Sequence, residues 1–332
     1  MIGRNIRYCR IMAGKTEAEL SREIGVSGER LEKYENGALL PELIIMRRIA
    51  SVLGVTLAEL MTEKSSGHKY EHYMRTGSYR QEYVKECIEE YLDRFFTVHE
   101  ILGGKILREV PKVHGLKASF NAEEDALKLR EVLGFSPSGA IPNLITALEE
   151  KGILIIPVRQ EIEKFSTLHG TADSRPYIAL NSRMTKERQR SRLAYELVNI
   201  FFEPQKVKDW ERYTATVSGA FLFPQADVLN ELGEKRTSIS PDMLIVSRDY
   251  GISIEMLTRR AEAIGIIEEG ICRSFNVKKH RQVSVDKEQA LLFERLVLRA
   301  VSEGNMTRQR GAELLKIPYV KMNQKMSLSE WK

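Results

Sequence analysis

Helix starts and stops follow one another so closely through residues 1–62 that only a bundle of short helices can satisfy them. Ile2, Ile6 and Ile11 open the first helix, with Arg4, Arg7 and Arg10 on its other faces. Thr16 is placed to cap a second helix whose Leu20 and Ile24 point inward, and Gly25-Val26 supplies the tight turn that ends it. Ser27 caps a third helix that Gly37 closes, Pro41 precedes a fourth carrying Leu43, Met46, Ile49 and Leu53, and Gly54-Val55-Thr56 leads to a last one ending at Met61. The order predicts a compact all-α domain over residues 1–63.

The pattern T-x-x-x-L-S-x-x-I-G-V-S-x-x-x-L-x-x-Y-E-N-G-x-x-x-P, followed by I-A-x-x-L-G-V-T-x-x-E-L, closely resembles the Xre or lambda-repressor type of helix-turn-helix. That resemblance implies a DNA reader. Its third helix would enter the major groove with Ser27, Gly28, Glu29, Arg30 and Lys33 facing bases and backbone, while Thr16 and Glu17 at the start of the second helix meet phosphate. Glu17, Glu29 and Glu32 put carboxylates near phosphates, which is unfavourable, although a glutamate can accept from cytosine N4. A helix-turn-helix kept as a protein-interaction module is the competing reading.

A chain of 332 residues has room for two or three domains, and its 42% hydrophobic and 29% charged content supports sizeable cores. No stretch approaches the roughly 18–20 uninterrupted apolar residues of a membrane helix, and the N-terminal MIGRNIRYCR lacks the apolar region of a signal peptide, so a cytoplasmic protein is expected. Cys9, Cys87 and Cys272 are odd in number and far apart, which suggests neither a disulfide framework nor a cysteine zinc site. The net charge of +5 is compatible with double-stranded DNA as a partner and does not require it.

Residues 64–120 read as a linker and helical connector. The polar run from residue 63 to 78 has no period, and its His68 and His72, four apart, are read as solvated rather than as metal ligands. A helix from Tyr79 to about Leu102 carries Val84, Ile88, Tyr91, Leu92 and Phe95 on one stripe, which either packs within the chain or makes a homodimer contact.

A second domain is expected over residues 121–270. A helix ending at Gly134 and another over Ile141–Glu150 lead into the strand ILIIPV, and FSTLHGTADSRPYIALN reads as two strands joined by a polar turn. His169 on the first of these is read as a hydrogen-bonding residue rather than a ligand. After a basic run through Arg188 and Arg190, the amphipathic helix to Phe202 contains Y-E-L-V-N at Tyr195–Asn199, the layout of the zinc-peptidase helix H-E-x-x-H with both histidines replaced. In that motif two imidazoles four residues apart grip one Zn²⁺, and the glutamate handles the proton of the metal-bound water.

Strand, R-x-R, motif helix, a following glutamate and an apolar helix closing on L-x-P at Leu222–Pro224 is an order similar to that of the ImmA/IrrE regulatory metallopeptidases. The resemblance implies a zincin-like α+β domain and, by position, Glu211 as the third metal ligand. Its interval from Asn199 is shorter than the family's. The stretch I-S-x-x-x-L-x-R-R-A-x-x-I-G-I-I resembles the family's domain end, where a helix carries an arginine across the sheet edge. A tyrosine becomes an anionic ligand only on losing a proton of pKa about 10, and an asparagine offers a neutral amide oxygen. With Tyr195 and Asn199 in the imidazole positions no metal and no cofactor are expected, and Glu196 loses the water it would activate.

Residues 271–332 predict a helical C-terminal subdomain. T-x-x-x-G-A-E-L-L-x-I-P-Y, from Thr307, has the rhythm of a second helix-turn-helix made basic by Arg308, Arg310, Lys316, Lys321 and Lys325, but is read as making no DNA contact. The fold class expected is thus mainly α with a small mixed β-sheet. The function expected is a transcription regulator whose inactive peptidase-like domain serves as a sensor of a peptide or small molecule, a docking site or a dimerisation surface. The alternatives are an active endopeptidase with an altered metal site that cleaves a repressor, and an antitoxin-like protein that neutralises a partner by binding.

Overall fold

The computed structural model describes residues 2–61, 68–73, 81–104, 106–111, 115–158, 165–203, 209–268, 270–271 and 287–327. Cys272 and the linker outside 68–73 lie beyond them, while Cys9 and Cys87 are buried and form no disulfide. The chain divides into two units, residues 1–70 with 77–93 and residues 71–76 with 94–332.

The first unit opens with five helices, α1 (Ile2–Met12), α2 (Glu17–Ile24), α3 (Gly28–Glu35), α4 (Leu43–Leu53) and α5 (Leu57–Met61). The caps fall where the sequence puts them. Thr16 accepts from the Glu19 amide while Glu19 accepts from the Thr16 amide, a reciprocal pair that satisfies two orphan donors. Ser27 caps α3 with a single bond, its hydroxyl accepting from the Arg30 amide, and Gly25 and Gly54 end α2 and α4 in the left-handed conformation. Ile6, Leu20, Ile24, Leu31, Ile49 and Leu60 form the core. Arg10, expected on an outer face, is instead buried: its guanidinium grips both oxygens of Glu35, at 2.6 and 2.7 Å. The helix α6 (Gln81–Ile101) buries Val84, Ile88, Leu92 and Phe95, so the stripe packs within the chain.

The second unit holds one mixed four-stranded sheet in the order β1-β3-β4-β2, from β1 (Tyr70–Tyr73), β2 (Leu154–Val158), β3 (Thr167–Ala172) and β4 (Arg175–Asn181). The linker reading fails at β1. Its exposure alternates along the strand and it is only four residues long, too short for a visible period. β2 runs parallel to β4, and β3 pairs antiparallel with β4 through a two-residue turn in which Asp173 and Ser174 both have positive φ, the geometry that matches strand twist. Gly170 is required on β3, since a Cβ there would overlap the Glu71 carbonyl of β1 and the Tyr177 hydroxyl.

Helices α7 (Ala122–Val132), α8 (Leu144–Glu150), α9 (Lys186–Phe201), α10 (Trp210–Leu222), α11 (Gln225–Leu232), α12 (Pro241–Asp249) and α13 (Ile254–Ile264) share one core with the sheet. α9 contributes Leu193, Leu197, Val198 and Phe201 to it. In the R-R pair of α13, Arg260 is buried, donates to the Phe223 carbonyl at the end of α10, and pairs with Glu123 at 2.6 Å. Arg130 of α7 ties the same region down through the carbonyls of Phe221, Ser136 and Gly139. Three further helices, α14 (Leu292–Ser302), α15 (Arg308–Leu315) and α16 (Tyr319–Met326), follow. Among the described residues no helix is long and apolar enough to cross a membrane.

Candidate functional site

A cavity of about 740 Å³ opens in the second unit between β3, α9 and the start of α10. Tyr195, Glu196, Asn199 and Glu211, the four positions singled out from the peptidase pattern, all line it. α9 places Tyr195, Glu196 and Asn199 within one helical turn, and Glu211 comes from the first turn of α10, where a carboxylate is favoured by the helix dipole. The strand β3 faces them. Its buried positions Leu168, Gly170 and Ala172 alternate with Thr167, His169 and Thr171, and these last three line the cavity.

Glu196 is buried, and both of its oxygens are engaged by β3. Oε1 accepts from the Thr167 hydroxyl at 2.7 Å, and Oε2 lies 2.7 Å from Nδ1 of His169. His169 is therefore a hydrogen-bonding residue, as its setting beside a glycine suggests, and its ring stacks on Tyr73 of β1 at 5.2 Å between centroids. Asn199 is engaged as well, its Oδ1 accepting from the Trp210 indole at 3.3 Å. The Arg192 guanidinium lies 6.0 Å from the centre of the Tyr195 ring. His72 sits in a strand, where its Nδ1 makes a short hydrogen bond with the Tyr177 hydroxyl, so the helical pairing of His68 and His72 that could grip a metal does not form.

These donors do not suit a catalytic Zn²⁺, which takes three thiolate, imidazole or carboxylate ligands and keeps a fourth position open for water. A phenol and an amide oxygen already held by an indole stand where two imidazoles are needed, and among the described residues no group of three or more His, Cys, Asp and Glu side chains is arranged to hold an ion. Thr167, Trp210 and Tyr73 are the contributors that sequence reading passed over. The alternation of polar and buried residues along T-L-H-G-T-A was the available signal for Thr167, and Trp210 and Tyr73 had none.

The helix-turn-helix family model matches residues 6–60, and the model described as the IrrE N-terminal-like domain matches residues 148–262. The chain is a fusion of an Xre-type helix-turn-helix domain with an IrrE N-terminal-like domain. The second match spans β2 to α13 and so contains the whole face of the cavity built by β3, α9 and α10. No curated protein and no solved structure matches the chain.

In the helix-turn-helix domain the residues expected to face DNA are displayed on the surface, but their charges are met by neighbours. Lys33 pairs with Glu29 at 2.7 Å, a contact that holds the Glu29 carboxyl below its ordinary range, and Arg30 pairs with Glu42 at 3.2 Å while lying 5.8 Å from the centre of the Tyr34 ring. Glu17 pairs with Arg10 at 3.3 Å, and Thr16 and Ser27 spend their hydroxyls on the caps described above. Gly28 opens α3 with open space where a Cβ would stand. The Lys33–Glu29 and Arg30–Glu42 pairs are exposed and screened by solvent, so phosphates can displace these glutamates at small cost.

Proposed function

We propose that the chain is a DNA-binding transcription regulator whose IrrE-like domain receives a ligand or partner instead of hydrolysing a peptide. One observation carries this reading. Asn199 is held by Trp210 and Glu196 is held by Thr167 and His169, so the helix that would carry a metal and its water is wired to the neighbouring elements by other contacts. What is left is a cavity large enough for a small molecule or a peptide side chain, lined by aromatic and carboxylate groups. Occupancy there would bias DNA binding by the helix-turn-helix domain. Homodimerisation belongs to the same proposal, supported by Leu40, Leu43 and Ile44, which expose apolar surface on the helix-turn-helix domain, and the protein would act in the cytoplasm.

Genome-wide mapping of bound DNA, with the Arg30→Ala, Lys33→Ala protein alongside, tests the first half. Discrete binding sites that depend on these two residues are expected. Metal analysis of protein purified without chelators tests the second half, with far less than one zinc per chain expected. One tightly held zinc or manganese per chain, together with proteolysis of a repressor that Glu196→Ala abolishes, would refute the proposal.

A further inference from the structure

The last three helices repeat the layout of the first three. α14 and α1 each have eleven residues, α15 and α2 each have eight, and α16 and α3 each have eight. Thr307 caps α15 by accepting from the Arg310 amide, as Thr16 caps α2 through the Glu19 amide. Lys316 ends α15 in the left-handed conformation at φ 54°, as Gly25 ends α2 at φ 74°. In both cases three residues, Lys316–Pro318 and Gly25–Ser27, form the turn. The fourth residue of the following helix, Met322 or Leu31, is fully buried. Gly311 lets α15 close on its partners, since a Cβ there would lie 2.8 Å from Met322 Cε and 2.9 Å from Val301.

The two helix pairs, α2–α3 and α15–α16, differ in charge. Residues 17–35 hold Arg22, Arg30 and Lys33 against six glutamates, whereas residues 308–326 hold Arg308, Arg310, Lys316, Lys321 and Lys325 against Glu313 alone. Arg310 pairs with Glu313 at 3.2 Å and Lys325 with Glu294 at 2.7 Å. Arg308 donates to the neutral amide oxygen of Asn323 at 3.2 Å, and Lys321 is exposed. α16 opens with two exposed apolar side chains, Tyr319 at 46% and Val320 at 69%. An apolar start, polar Gln324 one turn on, and a cationic rim suit the floor of a major groove. There methyl groups meet thymine, an amide reads adenine, and cations meet phosphate. A phosphate-rich polymer complements this face better than it does the acidic α2–α3 face.

We propose that α14–α16 form a second site for double-stranded DNA, with α16 as the reading helix and Arg308 and Lys321 on the flanking phosphates. This replaces the expectation that the C-terminal helices make no DNA contact. It stands whether or not the N-terminal helix-turn-helix binds DNA.

The test uses the full chain carrying Arg30→Ala and Lys33→Ala, so that the N-terminal contribution is suppressed, and measures affinity for a mixed-sequence DNA duplex over a salt series. Adding Arg308→Ala and Lys321→Ala should weaken binding at least about tenfold at low salt and reduce the log–log salt slope by about 2, since each lost phosphate contact removes about 0.9. Arg308→Lys with Lys321→Arg should keep the slope. All four positions are on the surface, so thermal melting should be unchanged and separates a lost contact from a lost fold. An unchanged slope and affinity in a normally melting protein would overturn the proposal. So would a loss confined to an acidic protein partner while duplex binding persists.

Discussion

Replacing Glu288 by alanine should be among the most damaging single changes outside the apolar core. Glu288 Oε1 lies 2.7 Å from Arg190 Nη1, with the two side chains 4% and 1% exposed, and Oε2 accepts from the Ile145 amide at the start of α8 at 3.0 Å. The Nε and Nη2 of Arg190 make no hydrogen bond among the described residues, and Gly251 walls its stem so closely that a Cβ would lie 2.9 Å from Cδ and Nε. Arg190 therefore cannot swing to water. Stranding a buried charge costs about 3–5 kcal/mol, and a buried amide without its acceptor costs about 1–3 kcal/mol. Because the two overlap in one rearrangement, a loss of about 4 kcal/mol is the working figure. At about 2–4 °C per kcal/mol for domains of roughly 150–250 residues, the melting temperature should fall by about 8–16 °C. Differential scanning calorimetry of the full chain measures this. Arg190→Met with Glu288→Leu should recover most of the loss, because removing both charges leaves none to desolvate. A shift under about 2 °C for Glu288→Ala, or a double variant no better than the single one, would show that the pair is not what holds α8 and α9 to this segment.

Two other changes probe the cavity and the α8 helix. Tyr195→His with Asn199→His rebuilds H-E-x-x-H and should raise zinc affinity by more than about 100-fold, because side chains that bind the ion directly matter more than the outer partners whose loss costs roughly 10–100-fold. Isothermal titration would show it, and a folded double variant that ignores zinc would mean that these two substitutions are not what disfavours the metal. Burial pushes the Glu149 carboxyl on α8 up to about 8, against the pull of the Leu292 backbone amide, the Arg295 charge and the Leu291 backbone amide. A folded-state value above the unfolded one contributes stability below about pH 4.5 that is lost as pH rises through about 8. Glu149→Gln should therefore flatten the fall in melting temperature between about pH 5 and 9, and parallel curves for the two proteins would refute it.

The helix-turn-helix domain was legible because its information is local. Thr16, Gly25, Ser27 and Gly54 act within a few residues of where they stand, so a cap or a left-handed turn can be read without knowing the rest of the fold. The motif helix and the β3–β4 hairpin were legible for the same reason, one through helical spacing and the other through alternation about a polar turn. What escaped was set by long-range pairing. Arg190 and Glu288 are 98 residues apart, Tyr73 reaches His169 only because a short strand joins the sheet, and Arg10 is drawn inward by Glu35. A bidentate carboxylate can bury an arginine that position on a helix face alone would assign to solvent. The cavity positions were found by pattern, but their chemistry was not: nothing in Y-E-L-V-N tells that Trp210 occupies Asn199.

Trp210 is one of two tryptophans in the chain, the other being Trp331 next to the C-terminal residue. Because the indole of Trp210 lines the cavity with its N–H directed at Asn199, any occupant changes the dielectric around a native fluorophore. Emission wavelength and quenching by acrylamide then become a label-free readout for screening candidate effectors, with Trp210→Phe as the blank.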